Sequence, residues 1–266
     1  MKLVRVLFAC TLACVALESA AQPVAESCWS PEPLRFPPGE KEDVIHRTLD
    51  FLIESESVPL HPYWPKGVSG ITIGVGWDLG QHSAGELEAT WSKLPQADID
   101  RLRPAARKTG SAASALLPQL KTVSIPRDIA LDVLAVGVRG TYFPATARAF
   151  PGFELLPTGA QVALISVVFN RGAAMGRDPN WLKAMEVDQR WEMRRFRDDV
   201  QRRDMYAIYA HLGTMKRLWQ TGNQTGLVTR RRDEQKLIRP YALQELRWEE
   251  KRDALKAKGL PPCITR

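Results

Sequence analysis

The chain has 266 residues, 44% of them apolar and 25% charged, with a net charge of +7 and a pI near 9.4. That length can bury a sizeable core and suits one domain of two lobes or two small domains, and that composition excludes global disorder. The basic excess favours polyanionic partners, whether nucleic acid, an anionic membrane surface or an acidic cell-wall polymer, without choosing among them; a solvated basic face is the plainer reading of any single Lys or Arg.

Residues 1–21 read as a secretory signal, with Lys2 and Arg5 at the basic end, Val6 to Leu17 as the apolar run and Ser19-Ala20-Ala21 as the cleavage region. The run is too short for an ordinary membrane span and no other stretch qualifies, so the mature chain is expected to begin near Gln22 and to be a soluble, periplasmic or secreted protein. Thr11-Leu12-Ala13-Cys14 only loosely resembles a lipoprotein cleavage site. Export removes Cys10 and Cys14 and leaves Cys28 and Cys263, one near each end, which are expected to form a single bridge in an oxidising compartment.

The stretch 22–39 is an arm kept extended by Pro31, Pro33, Pro37 and Pro38. Helical periodicity then runs from about Glu40 to Ser57. Ile45, Leu49, Leu52, Ile53 and Glu56 recur at spacings of three and four, which puts Glu56 at the end of the apolar stripe and Glu54 on the polar face with Asp43, Arg47 and Asp50. A carboxylate on the buried side, with no cationic neighbour on its own helix, is expected to be able to donate a proton; the plainer alternative is a helix-terminal glutamate that reaches solvent.

After a proline-rich loop containing Tyr63-Trp64, Ile71, Ile73, Val75 and Trp77 alternate with Gly70, Thr72, Gly74, Gly76 and Asp78. The second set carries one hydroxyl, one carboxylate and otherwise no side chains, so it is expected to form a floor on which a ligand lies close to backbone. A straight strand would hold Thr72 and Asp78 roughly 20 Å apart. Gly74 and Gly76 can take the positive φ of a tight reversal, and a hairpin turning at Gly74-Val75-Gly76 brings Thr72 and Asp78 opposite each other.

A helix is expected from His82-Ser83 through Leu87, Trp91 and Leu94, and Pro95 to Pro118 reads as helical without chemistry of its own. Another helix begins at Ser124-Ile125-Pro126, with Ile129, Leu131, Val133, Leu134 and Val136 as its core set, and Tyr142-Phe143-Pro144 is expected to break it. Thr158 is expected to cap the most apolar helix, through Phe169, which stops at Asn170-Arg171-Gly172. Trp181 to Gln201 and Met205 to Trp219 read as amphipathic helices, and a basic helix opens at Thr225 and carries Arg230, Arg231 and Arg232.

Several chemistries have no support. The four histidines lie far apart without a His-Glu-x-x-His pair, so no metal and no cofactor is expected. Gly67-Val68-Ser69-Gly70 is not a nucleophile elbow, and the glycines after Ile71 lack the Lys-Ser/Thr of a phosphate loop. Two carboxylates, one placed as an acid and one as a base, with a hydroxyl beside the second, suit glycoside hydrolysis.

Glu56-Ser57-Val58-Pro59-Leu60-His61-Pro62-Tyr63 followed by Thr72-Ile73-Gly74-Val75-Gly76 resembles the catalytic glutamate, the tyrosine seven residues on and the hairpin of phage-type lysozymes. Trp77-Asp78-Leu79-Gly80 is similar to the pesticin-like branch, where the catalytic aspartate lies six residues after the threonine. Ala163 to Gly172 resembles that family's central helix, and Gly226-Leu227-Val228-Thr229-Arg230-Arg231-Arg232-Asp233-Glu234 its Gly-Leu-x-x-Arg-Arg-x-x-Glu ending. The resemblance implies an α+β, lysozyme-like catalytic domain over 40–266, with a small lobe carrying the β-hairpin and a larger, mainly α-helical lobe. It implies a muramidase that cleaves the β-1,4 bond between N-acetylmuramic acid and N-acetylglucosamine, with peptidoglycan glycan strands as partner and without nucleic acid or stable membrane insertion, as a monomer. Glu56 would be the general acid, Asp78 the base or charge stabiliser and Thr72 the residue that positions water; Tyr63, Gly74, Asn170, Arg230 and Arg231 would contact substrate. A lytic transglycosylase, or a catalytically silent wall-binding protein, is the alternative.

Overall fold

The computed structural model describes residues 27–56, 58–176, 187–219 and 225–263. The expected signal and the expected helix start at Trp181 lie outside them. Contacts divide the chain into one compact unit, Pro33–Glu250, and a second built from the two chain ends.

In the second unit Cys28 and Cys263 are joined, with an S–S distance of 2.05 Å, as the cysteine count predicts. Trp29 runs parallel to Pro262, donating its backbone N–H to Pro261 at 3.0 Å and accepting from Cys263 at 2.8 Å. Its indole donates to the Leu260 carbonyl at 2.9 Å, and the Lys256 ammonium sits 4.4 Å above the ring.

The first unit opens with α1 (Lys41–Glu56), which buries Val44, Ile45, Thr48 and Leu52 and leaves Glu54 exposed, as the periodicity predicts. Two short strands follow, β1 (Thr72–Ile73) and β2 (Trp77–Asp78), paired antiparallel with Thr72 opposite Asp78 and Ile73 opposite Trp77. Gly74 (φ +54°) and Gly76 (φ +72°) make the turn, in a conformation that L side chains avoid.

Ser83 caps α2 (Ala84–Thr90) in a reciprocal capping box with Glu86. The Ala- and Lys-rich stretch after Pro95 is not one helix. Its prolines and glycine divide it into α3 (Gln96–Leu102), α4 (Gly110–Ser114) and short 3₁₀ turns.

Two expectations are overturned at the next helix. α5 (Arg127–Gly137) buries Ala130 and Leu134, whereas Val136 of the expected core set is 72% exposed. Tyr142-Phe143-Pro144 does not end the helix either: a π-helical turn, Val138–Tyr142, carries it into α6 (Phe143–Ala149), where Pro144 stands in the first turn and its missing N–H is tolerated.

α7 (Thr158–Arg171) buries every side chain from Ala160 to Val168 and stops at Gly172 (φ +71°). Thr158 does not cap it. Pro157 holds the cap position, and the Thr158 hydroxyl donates to Asp43 of α1 at 3.2 Å. α8 (Trp191–Arg202), α9 (Met205–Met215) and α10 (Thr225–Ala257) follow, the last with Pro240 inside it.

Two hydrophobic clusters result. One joins α1, α6, α7, α8 and α9 with Ile238 of α10; the other lies under the hairpin and gathers Leu87, Trp91, Ile99, Leu102 and Ala130. The protein is thus mainly helical with one small antiparallel sheet. No helix among the described residues is long and apolar enough to cross a membrane.

Candidate active site

The last turn of α1 brings Glu56 to the edge of the larger cluster, with its side chain 24% exposed. The cation missing from its own helix comes from α10. Arg230 is 4% exposed and places one guanidinium nitrogen 2.5 Å from Glu56 Oε1, while its other terminal nitrogen, Nη1, is buried without an acceptor. Glu56 thus has no cationic neighbour on its own helix, as expected, and gains one from α10.

The hairpin supplies the other carboxylate. Asp78 Oδ1 accepts from Gly80 N at 2.8 Å and Oδ2 from Gly70 N at 3.3 Å, so two backbone donors fix the group. Gly70 is indispensable here, since a Cβ would lie 2.3 Å from Asp78 Oδ1 and 2.4 Å from Gly80 N.

Tyr63 connects the two sides. It extends the sheet by one bridge, exchanging backbone hydrogen bonds with Thr72 at 3.0 and 2.8 Å. Burial pushes its phenol above the ordinary tyrosine range, the Glu56 and Asp78 carboxylates push it further, and a hydrogen bond with the Thr72 side chain opposes them. Tyr142, from the π turn, is raised by burial and then by Glu56, so it approaches the same carboxylate from the other cluster. The sequence carried no signal for Tyr142, because its approach depends on the helix continuing through the π turn.

Three expected substrate contacts are placed otherwise. Gly74 is buried, and a Cβ there would meet Trp91 Cη2 at 2.6 Å, so the glycine admits a tryptophan of the core and not a ligand. The open glycine floor is corrected accordingly. Arg231 is fully buried, 2.5 Å from the buried Glu234, which accepts from Ser166 of α7 at 2.6 Å. Burial pulls Arg231 down from the usual arginine range and pushes Glu234 up from the carboxylate range. Arg230 faces Glu56 from inside the fold. Arg230 therefore attaches α10 to α1, Arg231 pairs within α10 with Glu234, which accepts from α7, and both arginines are buried rather than at the surface. Asn170 is half-buried in the last turn of α7, next to Phe169, whose ring lies 3.0 Å from where a Cβ on Gly76 would stand.

Residues 43–192 match the family model described as "Pesticin: Bacterial toxin homologue of phage lysozyme, C-term". The chain belongs to the pesticin family. No curated protein matches it. The pesticin match takes in Glu56, Tyr63, Thr72, Asp78 and Asn170, and it ends in α8, so the arginine pair of α10 lies beyond it.

Proposed function

We propose that the protein is an exported muramidase that hydrolyses the β-1,4 bond between N-acetylmuramic acid and N-acetylglucosamine in peptidoglycan. The reading is supported most by the match to a family homologous to phage lysozyme over the stretch that holds Glu56, Thr72 and Asp78, with Thr72 paired opposite Asp78 and bridged to Tyr63. Glycoside hydrolysis needs a proton on the leaving oxygen and a base or a negative charge at the other side of the sugar. Glu56 donates the proton. Asp78, held by the Gly70 and Gly80 amides, takes the proton of an attacking water or stabilises the developing positive charge. The Thr72 hydroxyl, directly across from Asp78, positions that water.

Arg230 positions Glu56 and touches no sugar. Tyr63 and Asn170 face the bound strand. Peptidoglycan lies outside the cytoplasm, which agrees with a signal at 1–21 and with the bridged cysteines.

The test is mass spectrometry of soluble products after incubation with purified peptidoglycan. Wild type is expected to release muropeptides with reducing ends, and Glu56→Gln none while keeping its fold by circular dichroism. Near-normal release by Glu56→Gln overturns the acid assignment. Anhydro products that persist in Asp78→Ala replace hydrolysis with a transglycosylase, and no products from wild type, with pelleting retained, leave a binding protein.

A further inference from the structure

The end of α7 leads from the candidate site to a shallow pocket of about 290 Å³. Asn170 stands in the last turn of that helix, and Ala173, three residues on, lines the pocket, so at most about 11 Å of chain separates them. Ala145, Arg148 and Ala149 of α6 form one side, Arg197 of α8 another, and Met175 completes the floor. These walls are fixed to one another. Arg190 donates to the Arg171 carbonyl at 2.6 Å and Arg194 to the Met175 carbonyl at 2.8 Å, so the segment that leaves α7 is held against α8.

Other arginines of α8 and its surroundings are engaged: besides Arg190 and Arg194, Arg202 holds Asp199 at 2.7 Å and Arg217 holds Glu192 at 2.7 Å. Arg148 and Arg197 differ. Both are exposed, neither has a hydrogen-bond or ion-pair partner among the described residues, and no carboxylate lines the pocket they share. A lone surface arginine needs no explanation. Two that line one pocket, over a floor of three alanines and a methionine, select a ligand that carries carboxylates and small apolar groups together. Each planar guanidinium can grip a carboxylate through two parallel hydrogen bonds, and the floor offers contact to methyls. A bare phosphate would satisfy the cations and gain nothing from the floor. Alanine side chains and free carboxylates occur together in the short peptides that hang from the N-acetylmuramic acid units of peptidoglycan.

We propose that this pocket binds the peptide stem of the glycan strand, with its carboxylates on Arg148 and Arg197 and an alanine methyl on the floor between them. The choice of ligand rests on the muramidase reading; the pocket itself is built without Glu56, Thr72 or Asp78. A strand seated at Asn170 brings its stem within reach, since an extended peptide covers roughly 3.3–3.6 Å per residue and about three residues span the separation. Glycan and peptide are then held as two linked ligands, and a strand that carries its peptides binds in preference to a bare one.

The test titrates Glu56→Gln protein onto immobilised, uncrosslinked glycan strands from peptidoglycan that either keep their peptides or have lost them to an amidase. The peptide-bearing strands are expected to bind roughly five- to tenfold more tightly, the gain of two exposed charge pairs. Adding Arg148→Gln with Arg197→Gln is expected to abolish that preference and to leave the affinity for bare strands unchanged. Arg239→Gln with Arg247→Gln, at two exposed arginines of α10 outside the pocket, removes the same charge and is expected to keep the preference. All four positions are exposed, so circular dichroism should show an intact fold in both variants. Absent or equal binding to the two kinds of strand, a preference that survives loss of Arg148 and Arg197, or an equal loss in the α10 variant overturns the pocket. Failure of the muramidase reading appears elsewhere, as absent products from the wild type, and leaves this comparison of affinities interpretable.

Discussion

At the scale of single residues, the pair of Glu56 and Arg230 controls the proton donor. Arg230 is buried and reaches the carboxylate at 2.5 Å, so its removal withdraws a cation from a partly buried acid and opens space in the core. Arg230→Met is expected to cost roughly 1–3 kcal/mol in urea denaturation and to lower kcat more than tenfold with little change in KM, since Arg230 orients the acid without touching sugar. Arg230→Lys restores part of the stability and little of kcat, because an ammonium lacks the planar fork. A rise in KM alone would make Arg230 a substrate contact instead. Gly70 offers an independent check on Asp78. A methyl there collides with Asp78 Oδ1 and the Gly80 amide, and overpacking of this kind costs about 1–3 kcal/mol; Gly70→Ala should lose activity at least as severely as stability. Gly67→Ala is the control: φ is +64° but its surroundings are open, so it loses about 1 kcal/mol and keeps activity. The alternation of small and large residues made Asp78 and Thr72 legible, and helical spacing made Glu56 legible. The roles of Arg230 and Arg231 were not, since which of two adjacent residues on α10 meets Glu56 of α1 and which pairs with Glu234 inside the fold is decided by tertiary packing.

At the scale of elements, local rules carried the reading wherever a local group settles the outcome: the capping box of α2, the glycine stop of α7 and the turn between β1 and β2. They failed where an element leans on a distant one. Pro144 would end an isolated helix, but the π turn before it presents Tyr142 toward Glu56 and Phe143 to the core, and burial of Phe143 keeps the chain helical. The docking of α9 on α10 is another such case, and a titratable group, Glu245, stands at it. Glu245 of α10 accepts from the Tyr206 amide at the start of α9 at 2.8 Å; burial, with Asp204 and Glu249 nearby, pushes it up to about 7, against the pull of the backbone hydrogen bonds. A carboxyl raised in the folded state contributes fully where both states are protonated and loses that contribution across the window in which only the unfolded state has lost its proton. The contribution of Glu245 is therefore complete below about 4.5, its unfolded value, and is lost as pH rises through about 7. Wild type should accordingly lose denaturation midpoint between about pH 4.5 and 7 at constant ionic strength, and Glu245→Gln should flatten that slope. An unchanged slope in the variant assigns the dependence to other groups.

At the scale of the whole molecule, the bridge between Cys28 and Cys263 spans 235 positions of sequence, while every residue of the candidate site belongs to the unit Pro33–Glu250. The two facts separate stability from activity. Joining the chain ends removes conformations from the unfolded ensemble, and for a loop of this length the chain-entropy relation gives roughly 5 kcal/mol as an upper figure. Residual structure in the unfolded chain lowers it, so a loss of about 2–4 kcal/mol is expected on reduction, or in Cys28→Ser with Cys263→Ser. The positions of Glu56, Asp78 and Thr72 are set by α1, the hairpin and α10 packing on the buried clusters, none of which includes a cysteine. Reduced protein should therefore keep its initial rate on peptidoglycan at 25 °C while its urea midpoint falls, and the chain from Gln22 on should yield two titratable thiols only after reduction. If rate and midpoint fell together, the bridge would be shaping the cleft as well as closing the chain. A midpoint that did not move would mean that the unfolded chain gains nothing from release of its ends, and the bridge would then serve only to hold Trp29 and Pro262 in their parallel pairing.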